Sequence, residues 1–86
     1  MTPELCLGEA LAVMEERQEQ YGEFTHNLEN IASLWSAYLN TKITRREVAI
    51  MLVLFKFSRT SNYKLDTYID AINYLAAAAA EHATEV

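Results

Sequence analysis

The chain has 86 residues and a mass of 9.8 kDa, which is less than the common domain size of about 100 to 150 residues, so one domain spanning residues 1–86 is expected. Apolar residues make up 51% and charged residues 22%, with two Gly and one Pro, which excludes a disordered chain and favours helices. The net charge of -5 speaks against general nucleic-acid binding, and the longest apolar run, the eight residues from Val48 to Phe55, is too short for a membrane span of about 20.

Thr2-Pro3 is an N-cap followed by Pro at the first helical position, so a first helix is expected from there to Gly22, a left-handed C-terminal cap. Its shared face is Leu7, Ala10, Leu11, Met14, Gln18 and Tyr21. Thr25 can cap a second helix with the stripe Leu28, Ile31, Ala32, Trp35, Tyr38 and Leu39, ending near Asn40. Thr44-Arg45-Arg46-Glu47 reads as a capping box, with Ile43 and Val48 as a hydrophobic staple. The third helix, about 45–60, is apolar nearly all round and is expected at the centre of the fold. Its cations Arg45, Lys56 and Arg59 fall on one stripe with Ala49 and Leu52. After the polar link Ser61-Asn62-Tyr63-Lys64, a fourth helix is expected from Leu65 or Asp66 to Ala83, packing through Tyr68, Ile69, Ile72, Leu75, Ala76 and Ala79. The alanine run 76–80 permits close approach of another helix. The expected fold is all-α, a four-helix bundle-like subunit completed by homo-oligomerisation, since so short a chain buries only about 60% of its unfolded surface. With Cys6 as its single cysteine and no basic segment leading into an apolar stretch, a cytoplasmic location is expected.

Charge is segregated along the chain. Residues 1–40 hold seven acids and one base, residues 42–64 six bases and one acid, and residues 65–86 four acids and no base. Pairing of oppositely charged antiparallel helices explains such blocks, and so does a metal and phosphate site. Glu15-Glu16-Arg17-Gln18-Glu19 places carboxylates where Glu16 and Glu19, or Glu15 and Glu19, can converge on magnesium or manganese. Asp66 and Asp70 stand at i, i+4 with Asn73 one turn further, and like charges at that spacing weaken a helix unless a cation lies between them. Asp66 as a simple N-cap is the structural alternative. Together, Glu16, Glu19, Asp66 and Asp70 would complete a four-carboxylate cage of the kind bundles build from facing helices. Lys56 and Arg59 interrupt the most apolar helix and need carboxylate partners, Asp66 or Asp70, or a bound phosphate. There is no Gly-rich phosphate loop, no zinc spacing around His26 or His82, and no local triad signature at the serines.

Glu15-Glu16-x-x-Glu19 resembles the E-E-x-x-E motif of the MazG-like all-α nucleoside triphosphate pyrophosphohydrolases. Glu16-Arg17 to Tyr21-Gly22, Ile31-Ala32-x-x-Trp35, Val48-Ala49, Lys56-x-x-Arg59 and Asp66-x-x-x-Asp70-x-x-x-Tyr74 look like a family of small, uncharacterised phage and prophage proteins, over roughly residues 15–80. The MazG resemblance implies a helical dimer, carboxylate-bound magnesium on a (d)NTP, and water attack that releases pyrophosphate. The superfamily's second motif, E-x-x-D, is absent, because Glu29 is followed by Ala32 and Glu47 by Ile50, so its role would fall to Asp66 and Asp70. The roles implied are magnesium ligation by Glu16, Glu19, Asp66 and Asp70, ligation or water orientation by Glu15, phosphate neutralisation by Lys56 and Arg59, and ligand contact by Asn73. The alternative function is non-enzymatic: a phage interaction or inhibitor module that binds a host or phage protein through its helix faces.

Overall fold

A computed structural model describes residues 1–85, apart from the side chains of Tyr21 and Glu85. All elements among the described residues are helices: α1 (Pro3–Tyr21), α2 (Phe24–Leu39), α3 (Arg45–Phe57) and α4 (Leu65–Glu85). The Thr2 side chain accepts a hydrogen bond from the Leu5 N–H, and Pro3 opens α1, as the sequence suggests. Gly22 ends α1 with φ +79°, a conformation that strains any residue bearing a Cβ, and so permits a link of only two residues, Gly22 and Glu23. The second helix starts earlier than expected. Glu23, which makes no side-chain cap, precedes Phe24, and Thr25 lies inside the helix. Asn40 closes α2 in the left-handed region at φ 53°, which Asn tolerates better than most residues.

The capping box at α3 is complete, because the Thr44 hydroxyl accepts from the Glu47 N–H while the Glu47 carboxylate accepts from the Thr44 N–H. The Thr44 backbone N–H, then the Thr44 side chain and the Arg46 charge, hold the Glu47 carboxyl below its ordinary value. A carboxyl depressed by folding contributes stability above its unfolded pKa of about 4.3, and that contribution is lost as pH falls through the folded value. Thermal melts on moving from about pH 5 to about pH 3 should therefore show a larger drop in Tm for the wild type than for Glu47→Gln. Equal slopes would show that the box does not persist in solution.

The helices pack in the spatial order α1, α4, α3, α2, and the α3/α4 contact is the most extensive. The seam between α3 and α4 explains the cation stripe. At one end Arg45 Nη2 lies 3.1 Å from the Glu81 carboxylate, and at the other Lys56 Nζ lies 2.9 Å from Asp70 Oδ2. Both pairs are separated by eleven residues on each helix (45 to 56 and 70 to 81), so two antiparallel helices with the same rise per residue bring both into register. Between them Ala49 is completely buried, and its small side chain lets the backbones approach.

The centre of the fold is consequently shared. Helix α3 buries Val48, Ala49 and Val53 and leaves Ile50, Leu54 and Phe57 exposed as an outward stripe, so it is not buried all round. Helix α4 contacts both α3 and α1 and buries Thr67, Ile69, Asp70, Ala71, Asn73 and Ala78. Of its expected packing residues, Tyr68, Leu75, Ala76 and Ala79 face outward instead. Helix α1 is likewise rotated: Ala10 is buried and Cys6, Val13 and Met14 half-buried, while Leu7, Leu11 and Gln18 are exposed. Tyr21, assigned to the same face, lies outside the described side chains. Buried polar groups explain both rotations, because Asp70 and Asn73 require partners once desolvated, and the α1 stripe carrying Ala10 and Arg17 supplies them. The apolar core joins α2, α3 and α4 through Leu28, Ala32, Val48, Ala49 and Ala78, with Phe24, Ile31, Trp35 and Ile43 packed against it. No helix among the described residues is long and apolar enough to cross a membrane.

Candidate functional site

Helices α1 and α2 leave between them a cleft of about 730 Å³ whose floor is α4. Met14, Arg17 and Gln18 of α1 form one wall, Phe24, His26, Asn27 and Asn30 of α2 the other, and Asp70, Asn73 and Tyr74 of α4 the base. The Phe24 and Tyr74 rings stack with centroids 5.5 Å apart and planes 28° from parallel, giving the cleft an apolar aromatic end. Four amide side chains, Gln18, Asn27, Asn30 and Asn73, supply paired donors and acceptors nearby.

Asp70 organises the charged end. Its Oδ1 accepts from Arg17 Nη1 at 2.9 Å and its Oδ2 pairs with Lys56 Nζ at 2.9 Å. The Asp70 and Lys56 side chains are only 6% and 14% exposed, so this pair is desolvated, whereas Arg17 is half in solvent. Asp66, largely exposed at the start of α4, lies 3.9 Å from Arg17. Asn73 is buried and donates from Nδ2 to the Ala10 carbonyl oxygen at 3.0 Å, which fixes the position of α1 over the cleft floor.

The residues expected to hold magnesium are distributed differently from a cage. Asp66 and Asp70 stand beside each other around Arg17. Glu16 is about 100°, and Glu15 and Glu19 about 160°, around α1 from Arg17, and all three are exposed. Among the described residues, no group of three or more His, Cys, Asp or Glu is arranged to hold a metal ion. Both Asp70 oxygens are already held by cations, so within one chain the donor set does not fit a resident magnesium ion. Lys56 reaches the cleft only through Asp70. Arg59 does not line it, and its guanidinium lies 4.5 Å from the centroid of the Phe55 ring.

Sequence reasoning missed Arg17 as the hub, treating it as a spacer between glutamates. Its signal was present, because it is the one base among residues 1–40. Phe24, Asn27 and Asn30 carried no such signal, since an amide on an amphipathic helix looks like ordinary solvated surface.

No solved structure matches the chain. It is similar to the Gene 55 protein of Mycobacterium phage L5, with 37% identity over 62 residues, and to the Gene 55 protein of Mycobacterium phage D29, with 34% identity over 61 residues. Each match covers 69% of this chain and 40% of the relative, so the similarity spans less than half of those proteins. The family model described as a domain of unknown function, DUF6378, matches residues 6–82. Nearly the whole helical chain, including the cleft and the Arg17–Asp70–Lys56 cluster, thus belongs to the DUF6378 family.

Proposed function

We propose that this chain is a nucleotide-binding phage protein of the kind the MazG resemblance implies, taking a (d)NTP in the cleft between α1, α2 and α4. The observation that supports this reading is the composition of the cleft: a stacked aromatic pair, four amides and a half-exposed arginine converge on one concavity. A volume of about 730 Å³ falls within the range typical of small-molecule sites. Aromatic faces and amides suit a base, and Arg17 suits a phosphate, because the planar guanidinium can hold Asp70 and still present N–H groups outward. Lys56 stands behind Asp70 as a fixed countercharge. The donors of one chain do not fit a resident magnesium ion, so the cleft residues account for binding alone.

The test is calorimetric titration with a panel of (d)NTPs, with and without magnesium, alongside an assay of pyrophosphate release. Asn27→Ala and Arg17→Gln are expected to weaken binding at least tenfold, about 1.4 kcal/mol, because the first removes an amide from the cleft and the second replaces the guanidinium by a neutral amide that cannot pair with phosphate as a cation. Arg59→Ala should leave it unchanged. Absence of binding by every nucleotide would overturn the reading and favour the non-enzymatic interaction module. Magnesium-dependent turnover would add the pyrophosphohydrolase step.

A further inference from the structure

The chain exposes more surface than a folded monomer of its mass. A compact 9.8 kDa protein should expose about 5,200 Å², yet the accessible surface is 6229 Å². The radius of gyration is 13.6 Å, against about 12 Å for a compact chain of this length. The surface excess, about 1,000 Å², is close to the roughly 800 Å² that each partner buries in a standard protein interface.

The packing order shows where a neighbour is missing. Helix α1 rests on α4 and α2 on α3, and the gap between α1 and α2 opens from the polar cleft near Gly22. Leu7 and Leu11 continue the stripe of Met14 and Gln18 along α1, at i, i+4, i+7 and i+11. Leu34 and Tyr38 continue the stripe of Asn27 and Asn30 along α2, at i, i+3, i+7 and i+11. Leu7, Leu11, Leu34 and Tyr38 are 57%, 56%, 69% and 89% exposed, and the stripe positions from Leu7 to Gln18 and from Asn27 to Tyr38 are uncharged, with Glu4 at the outer end of the α1 stripe. Uncharged apolar centres flanked by charge are what an interface core requires. Here the charges flank the leucines: Glu4 and Glu15 border the α1 stripe, and Glu9, Glu16 and Glu19 fall well outside it. The competing outward stripe on α3, Ile50, Leu54 and Phe57, belongs to a helix that already has neighbours on two sides.

We propose that a second copy of this chain fills the α1/α2 opening through a two-fold contact, with Leu7, Leu11, Leu34 and Tyr38 at its centre. A two-fold contact presents the same patch from both subunits, so the surface closes on itself without leaving apolar residues for further growth. The dimer does not depend on what the cleft binds.

Sedimentation equilibrium should give twice the 9.8 kDa chain mass for the wild type. Leu11→Glu and Leu34→Glu should weaken self-association at least ~100-fold by placing charge at the interface core. Leu54→Glu, on the outward stripe of α3, should remain dimeric. Circular dichroism will verify that each variant keeps its helix content. Hydrogen exchange of the unmodified protein provides a second readout, since protection along α1 and α2 should rise with protein concentration. A monomeric wild type, a dimer indifferent to both Leu11→Glu and Leu34→Glu, or a dimer lost in Leu54→Glu would each overturn the proposal. So would exchange in α1 and α2 that is independent of concentration.

Discussion

Asp70→Ala is expected to destabilise the protein by about 3–5 kcal/mol, because it leaves Lys56 with its ammonium desolvated and unpaired. In a chain of this length that loss lowers Tm by well over ~10 °C. Most of the effect comes from Lys56 rather than Arg17, since the half-exposed guanidinium can turn to water when its carboxylate is removed. The double variant Asp70→Leu, Lys56→Met separates the contributions. Replacing both charges by hydrocarbon removes the desolvation penalty along with the attraction, so stability should return to within about 1 kcal/mol of wild type. Nucleotide binding should not return, because Arg17 then keeps only the longer contact to exposed Asp66, 3.9 Å away, and loses the buried carboxylate that holds it across the cleft. Urea denaturation of the three proteins provides the measurement. A loss in Asp70→Ala of less than about 0.5 kcal/mol would show that the pair is solvated.

Local signals in the sequence located the helices well and their faces poorly. The Thr2 cap, the Thr44 capping box and the terminal residues Gly22 and Asn40 are decided within one turn of chain, and the structure places all four as the residue chemistry suggests. Which side of α1 or α4 faces inward is decided between helices. A hydrophobicity pattern assigns Leu7, Leu11, Tyr68 and Leu75 to the core, but one buried carboxylate and one buried amide on α4 outweigh them. Asp70 and Asn73 draw the Ala10 and Arg17 side of α1 onto α4, and the leucines turn out to solvent. The charge blocks were legible in outline, since basic α3 does pair with acidic α4 at Arg45–Glu81 and Lys56–Asp70. The cleft itself was not legible. It exists because α1 and α2 diverge after a two-residue link, and no residue in either helix records the angle between them.

Leu28→Ala should cost about 3–5 kcal/mol, the upper part of the range for deleting a buried leucine. Leu28 and Val48 are the largest fully buried side chains among the described residues, and three of their partners in the core are alanines. Alanine has no rotamer with which to fill a vacated space, so closing the cavity requires moving a helix rather than a side chain. Helix α2 is the one able to move, because it packs mainly on α3 and touches α4 through Ala78 and the Phe24–Tyr74 ring pair, while its other flank is open. The expected result is a lower urea midpoint with an unchanged m value, and at low urea weaker nucleotide binding as Phe24, Asn27 and Asn30 shift with the helix. Leu34→Ala, on the exposed side of the same helix, should change the stability of the dilute monomer by less than about 0.5 kcal/mol. Equal losses at Leu28 and Leu34 would mean that α2 packs through its opposite face, and both the core and the cleft would then have to be redrawn around that rotation.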